Sequence, residues 1–122
     1  MAPAFYILTG LLVVILVAAG TAKLASVERM RQGAQRFGIP WPRYRLIGLL
    51  EMAAAAGLLV GLGWRPLGLA AGIGTGLLMV GALVFHRRAG DPPHEMVGAI
   101  VTFALAVGYL VTAFSLSTSG LP

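Results

Sequence analysis

Four stretches of this chain run nearly free of charge, and the charged residues gather in the short segments between them. The apolar stretches are residues 4–24, 44–62, 66–85 and 96–114. Each is close to the ~20 residues a helix needs to cross a hydrocarbon core about 30 Å thick. None shows the alternation of apolar and polar residues expected of a strand in a membrane barrel. The pattern predicts an all-α protein, a four-helix transmembrane bundle forming a single integral membrane domain over residues 1–122. No basic residue precedes the first apolar run, and that run is too long for the core of a signal peptide. It is therefore expected to stay in place as the first span.

The connection after the first span has a periodicity of its own. In "ASVERMRQGAQRF", Val27, Met30, Ala34 and Phe37 recur at helical spacing, while Glu28, Arg29, Arg31, Gln32 and Arg36 take the other side. That predicts a short amphipathic helix lying in the membrane interface between the first two spans. Gly38 can supply a left-handed C-cap and Pro40 blocks continuation. Trp41 and Tyr44 then fall where aromatic side chains anchor at headgroup level. In the second such connection, "HRRAGDPPHE", Asp91 and Pro92 read as the N-cap and first residue of the fourth span, a structural role for Asp91.

Composition supports the membrane reading. The 122 residues are 58% hydrophobic and 11% charged, with a mean hydropathy of +0.89, against about 25% charged in ordinary soluble domains. The net charge of +5 follows topology. Lys23, Arg29, Arg31, Arg36, Arg43 and Arg45 lie around the first connection, Arg87 and Arg88 in the last, and Arg65 alone in the turn "LGWRPL". The positive-inside rule then puts the long connections in the cytoplasm and both termini outside, in a multi-pass protein of a cell membrane. Basic residues hugging the bilayer edge suit anionic lipid and do not suit nucleic acid. There is no cysteine, so thiol redox chemistry and thiolate metal ligands are excluded. Any redox role must belong to a bound cofactor or a partner.

Small residues supply the packing ridges. Ala53, Gly57 and Gly61 on the second span, and Gly68, Gly72 and Gly76 on the third, stand at the spacing that lets membrane helices approach closely. The same ridges would serve a homo-oligomer equally well. At 100° per residue Glu51 shares a face with Gly48, Ala54, Ala55 and Leu58, away from the Gly57 ridge, so the second span has two packing sides. His86 lies five turns from Gly68 and on the same face.

Glu51, in "RLIGLLEMAAAAGLLVG", is the one acidic residue inside any long apolar run. A lone charge in lipid is costly, so such a residue faces the bundle interior and pairs. Lys23, Arg45 and His86 belong to the same end of the bundle. Two readings are open. Glu51 forms a structural pair with Lys23 or Arg45 while His86 caps its helix; or Lys23, Arg45, Glu51 and His86 line a polar ligand pocket, with Glu51 and His86 as acid and base. His86, His94, Glu51 and Asp91 do not plainly supply a metal set at one point, and no spacing argues for haem.

The ordered residues Gly20-x-x-Lys23-Leu24, Phe37-Gly38-Ile39-Pro40, Arg45-x-Ile47-Gly48-x-x-Glu51, Gly81-Ala82 and His86-x-x-x-Gly90-Asp91 resemble the DoxX-like family of small four-helix membrane proteins, over nearly the whole chain. The resemblance implies a bacterial inner-membrane setting alongside redox enzymes. Relatives include membrane subunits of thiosulfate:quinone oxidoreductase, and others bring soluble redox enzymes to the membrane. Lys23, Arg45, Glu51, His86 and Asp91 match the family's recurring polar positions. The leading expectation is a bundle that binds a quinone or another lipophilic molecule near Glu51, with a soluble redox partner on its cytoplasmic side. The alternatives are a self-sufficient isomerase, cyclase or epoxide-opening enzyme using Glu51 and His86, a structural anchor, and a small proton-coupled drug transporter.

Overall fold

A computed structural model describes residues 2–25 and 28–118. Among them the chain is all-helical, with five helices and no strand: α1 (Ala2–Leu24), α2 (Glu28–Phe37), α3 (Trp41–Val60), α4 (Arg65–Arg88) and α5 (Pro93–Thr118). Val27, the first apolar position expected of α2, lies outside the described residues. α1, α4 and α5 are long and apolar enough to cross a membrane. α3 is similar in length but carries three charged side chains, Arg43, Arg45 and Glu51.

The helix ends follow local chemistry. Both α3 and α4 start earlier than the apolar runs suggest, because Pro42 and Pro66 sit in first turns whose N–H groups need no intrahelical partner. α2 ends in a Schellman turn. Gly38, at φ +71°, donates its N–H to Gln35 O (3.1 Å), and Ile39 donates to Ala34 O (2.9 Å). α4 ends in the same way at Gly90, at φ +72°, with Gly90 N–H to Arg87 O (3.1 Å) and Asp91 N–H to His86 O (3.0 Å). α5 begins at Pro93 rather than Pro92. The residue before a proline is disfavoured in helical geometry, so Pro92 stays outside and accepts from Glu95 N–H at 3.0 Å.

α1 packs against α3 and α5, and α4 packs against the same two; α2 lies across α1, α3 and α4 at one end. The buried stripe of α1 is Phe5, Thr9, Leu12, Leu16 and Gly20, at steps of three or four. Thr9, Thr75 and Thr102 turn their hydroxyls back onto the carbonyls of Phe5, Ala71 and Gly98, so no buried hydroxyl among these three lacks an acceptor. The outward surface is apolar, with Ile7, Val14, Leu77, Val111 and Phe114 each more than half exposed. A soluble monomer does not display that much contiguous apolar surface; a bilayer covers it.

Four close approaches set the helix spacing. A methyl on Gly61 would lie 2.5 Å from Gly68 Cα, and one on Gly57 would lie 2.8 Å from Ala71 Cβ, so α3 and α4 touch at their connected ends. Near the α2 end, a methyl on Gly48 would lie 2.7 Å from Lys23 Cβ, and one on Gly20 would lie 2.8 Å from Gly48 O. The core proper, around Phe5, Leu12, Leu16, Leu58, Tyr109 and Leu116, fills the end away from α2.

Candidate functional site

The Gly20–Gly48 approach positions the first polar pair. Lys23 and Glu51 each stand three residues beyond one of these glycines, hence on the same helix faces. Lys23 Nζ meets Glu51 Oε1 at 2.8 Å, and Glu51 is 3% exposed although it stands midway along α3. Lys23 Nζ also lies 5.5 Å from the centre of the Tyr44 ring. The other proposed partner, Arg45, is elsewhere: it is exposed, and its Nη2 donates to Leu24 O at 2.8 Å.

A second cluster forms where α4 ends. The Schellman turn at Gly90 folds Asp91 back over the helix, and Asp91 Oδ2 accepts from His86 Nδ1 at 2.6 Å and from Arg36 Nη2 at 3.0 Å. The capping role expected for Asp91 gives way to this one, because α5 starts one residue later than its Asp-Pro signal suggests. The His86 hydrogen bond is the main influence holding the Asp91 carboxyl below its ordinary value of 3.8; desolvation opposes it and the Arg36 charge adds to the lowering. Asp91 is therefore a carboxylate that only accepts, and the shared proton sits on His86 Nδ1. The Arg36 contact also fastens α2 to the α4–α5 connection, 55 residues along the chain.

Between the two clusters lies a cavity of about 870 Å³, walled by all four long helices and by Phe37 and Ile39. Its walls are mainly Leu, Ile, Ala and Gly, and its polar groups come from Lys23, Tyr44, Glu51, His86 and Thr102. It exists because α3 and α4 touch at Gly61–Gly68 and leave room further along, at Ile47, Leu50, Gly74 and Leu78. A smaller cavity of about 290 Å³ beneath α2 shares Lys23, Phe37, Tyr44, His86, Gly98 and Ala99 with it and adds Arg29, Arg36 and Glu95. Phe37 stands between the two, with its ring 5.0 Å from His86, 6.1 Å from Phe85 and 6.4 Å from Tyr44.

The sequence candidates are thus divided by the fold. Lys23, Glu51 and His86 border one cavity, Arg45 does not, and Asp91 reaches it through His86. Gly57 borders the cavity and also packs on α4. Gly61, Gly68 and Gly72 are helix contacts, the last two against Tyr109, while Gly76 has only a loose neighbour in Phe103. Phe37, Tyr44 and Phe85 were not singled out as site residues; their signal was the Phe-Gly-Ile-Pro run and aromatic residues at span ends. Nothing in the spacing announces Arg36 as the partner of Asp91. Among the described residues, no group of three His, Cys, Asp or Glu side chains gathers as a metal set.

A family model described as the DoxX-like family matches residues 7–109, a range that contains both polar clusters. No curated protein and no solved structure matches the chain.

Proposed function

The chain belongs to the DoxX-like family, and from that premise we propose that it is a four-helix transmembrane bundle that binds a lipophilic small molecule of quinone type beside Glu51, as the membrane subunit or partner of a redox assembly. One observation carries this reading: an apolar cavity of about 870 Å³ with a buried ion pair in its wall. Cavities of this size with few convergent polar groups are typical of small-molecule sites. A purely structural Lys23–Glu51 pair would be better served by a filled core, since replacing buried ion pairs with apolar residues is often neutral or stabilising.

α3 is the fourth span in this reading. Arg43 and Arg45 lie in its first turns, at the α2 end and exposed, where they reach headgroups; Glu51 is neutralised by Lys23. α2 rests in the interface on Gly33 and Ala34 with its charges outward. Eight of the nine Lys and Arg belong to the α2 end, which makes that end cytoplasmic and gives a basic face for an acidic soluble partner. The residues fit a quinone: apolar walls for ring and tail, and Lys23 and Tyr44 as donors to its oxygens. When bound, a quinone supplies the electron-carrying chemistry that a chain without cysteine lacks.

The test is extraction and mass spectrometry of protein purified in nanodiscs, for wild type and Glu51→Gln. A lipophile enriched in wild type and lost from an equally stable variant is expected. Identical, lipid-only extracts would contradict the bound-ligand reading. A second reading, an acid–base enzyme acting on a lipophile, draws on Glu51 and His86 bordering the same cavity. It predicts that the purified protein alone converts the extracted lipophile to a new mass or isomer, and that His86→Phe stops this.

A further inference from the structure

The hydrogen-bonding groups of the cavity are unequally committed. Lys23 turns one of its three N–H donors to Glu51, and Arg36 is taken up by Asp91. Arg29 reaches only the smaller outer cavity, from the exposed face of α2. Spare acceptors stand beside them. His86 Nδ1 is given to Asp91, which leaves Nε2 without a partner among the described residues, an acceptor when the ring is neutral. Glu51 Oε1 faces Lys23 Nζ at 2.8 Å but, though buried, makes no well-directed hydrogen bond among the described residues. The Tyr44 hydroxyl can both donate and accept, while Thr102 gives its proton to Gly98 O. A buried acceptor left unmatched is costly, so the occupant of such a pocket has to bring a donor.

We propose that the cavity takes a lipophile whose head carries a hydroxyl, of the class of phenols, hydroquinones and long-chain alcohols, and that His86 Nε2 accepts from that hydroxyl because Asp91 holds the ring with its proton on Nδ1. The proposal rests on the reading of the cavity as a lipophile site and adds which end of the hydrogen bond each side supplies. Asp91 is in this account a positioning residue: it lies beyond the cavity wall and acts through His86. A fully oxidised quinone offers only acceptors to His86 and is the weaker occupant. Through Arg36, the same carboxylate ties the docking of α2 and of Phe37 over the cavity to the orientation of the ring.

The probe is a matched pair, para-decylphenol and its methyl ether, which differ in the O–H alone. Binding to wild-type protein in nanodiscs is measured against empty nanodiscs at about pH 8.5, above the ordinary imidazole range. The phenol is expected to bind about three- to tenfold more tightly than the ether, the worth of one neutral hydrogen bond. His86→Phe should bring the two to within about twofold by the same measure. Nitrogen NMR of labelled imidazoles should show His86 as the Nδ1–H tautomer in wild type and a mixture in Asp91→Asn, whose amide can donate to Nδ1 as well as accept from it. The phenol preference should shrink with that mixture. Equal binding of phenol and ether by wild type would overturn the proposal and leave the lipophile site standing. Binding of neither above empty nanodiscs would overturn both. An Nε2–H tautomer in wild type, or an undiminished preference in Asp91→Asn, would overturn the part assigned to Asp91.

Discussion

The two ends of this helix assembly are built from the same residue types and do opposite things with them. Away from α2, glycines bring α3 against α4, Tyr109 stacks on Phe5 at 5.4 Å, and Arg65 lies 4.4 Å from the Phe5 ring with its Nη1 donating to Ala113 O at 3.1 Å. There the cation is anchored and the space is filled. At the α2 end the glycines Gly74 and Gly81 face no atom within contact range, and Lys23, Glu51 and His86 border open volume. A glycine that lets two backbones touch is a packing device; a glycine that adds only emptiness is a place kept for something else. A polar side chain in such a chain therefore has to be read by whether its surroundings are closed or open.

The largest effect should come from filling a closed contact. Gly68→Val sets new atoms against Gly61 Cα and the Tyr109 hydroxyl, and backbone cannot yield as a side-chain tip can. A loss of about 3 kcal/mol is expected from such overpacking, read as a lowered unfolding midpoint in nanodiscs. Wild-type stability in this variant would mean that the far end is not the packed one. Next is Glu51→Ala, which strands Lys23 with 12% of its side chain exposed; about 3 kcal/mol is expected by analogy with buried pairs that lose one partner. Lys23→Met combined with Glu51→Met should recover most of it, and a double variant as unstable as the single one would deny that the pair is the cause.

Gly74→Leu sharpens the contrast. Its new side chain enters the cavity without meeting a neighbour at Cβ, so stability should stay within about 0.5 kcal/mol of wild type. Lipophile retention should nevertheless fall severalfold; equal retention would place the ligand elsewhere. The smallest effect concerns pH. Because the folded Asp91 carboxyl titrates below its ordinary 3.8, its contribution is complete above that value and is lost as pH falls through the folded value. Below about 3.8 the α2 latch should loosen, visible as faster hydrogen exchange in α2. Asp91→Asn should show no such step, and an unchanged step there would assign it to another group.

Much of this was legible in the chain. The apolar runs located the four long helices to within a few residues, and length and hydropathy mark α1, α4 and α5 among them as able to cross a bilayer. The periodicity of Met30, Ala34 and Phe37 marked α2, and Glu51 stood out because nothing else in its run was charged. The details were not legible for definable reasons. Lys23 and Arg45 were equivalent partners by depth, and only the Gly20–Gly48 crossing selects Lys23. Arg36 and Asp91 meet across a fold that brings distant segments together. Asp91 read as a cap because Asp-Pro usually is one, and the second proline moved the helix start by a residue. That single residue frees the carboxylate for His86.

The most direct test of the open-end account is photolabelling. A decyl benzoquinone with a diazirine in its tail, supplied in oxidised and reduced forms to protein in nanodiscs, is crosslinked and its attachment sites are mapped. Saturable labelling of cavity residues such as Ile47, Leu78 and Ala82, displaced by the unlabelled compound, is the predicted result. Labelling that does not saturate and spreads over outward residues such as Val14, Val111 and Phe114 would contradict it, and would return Glu51 to a purely structural role.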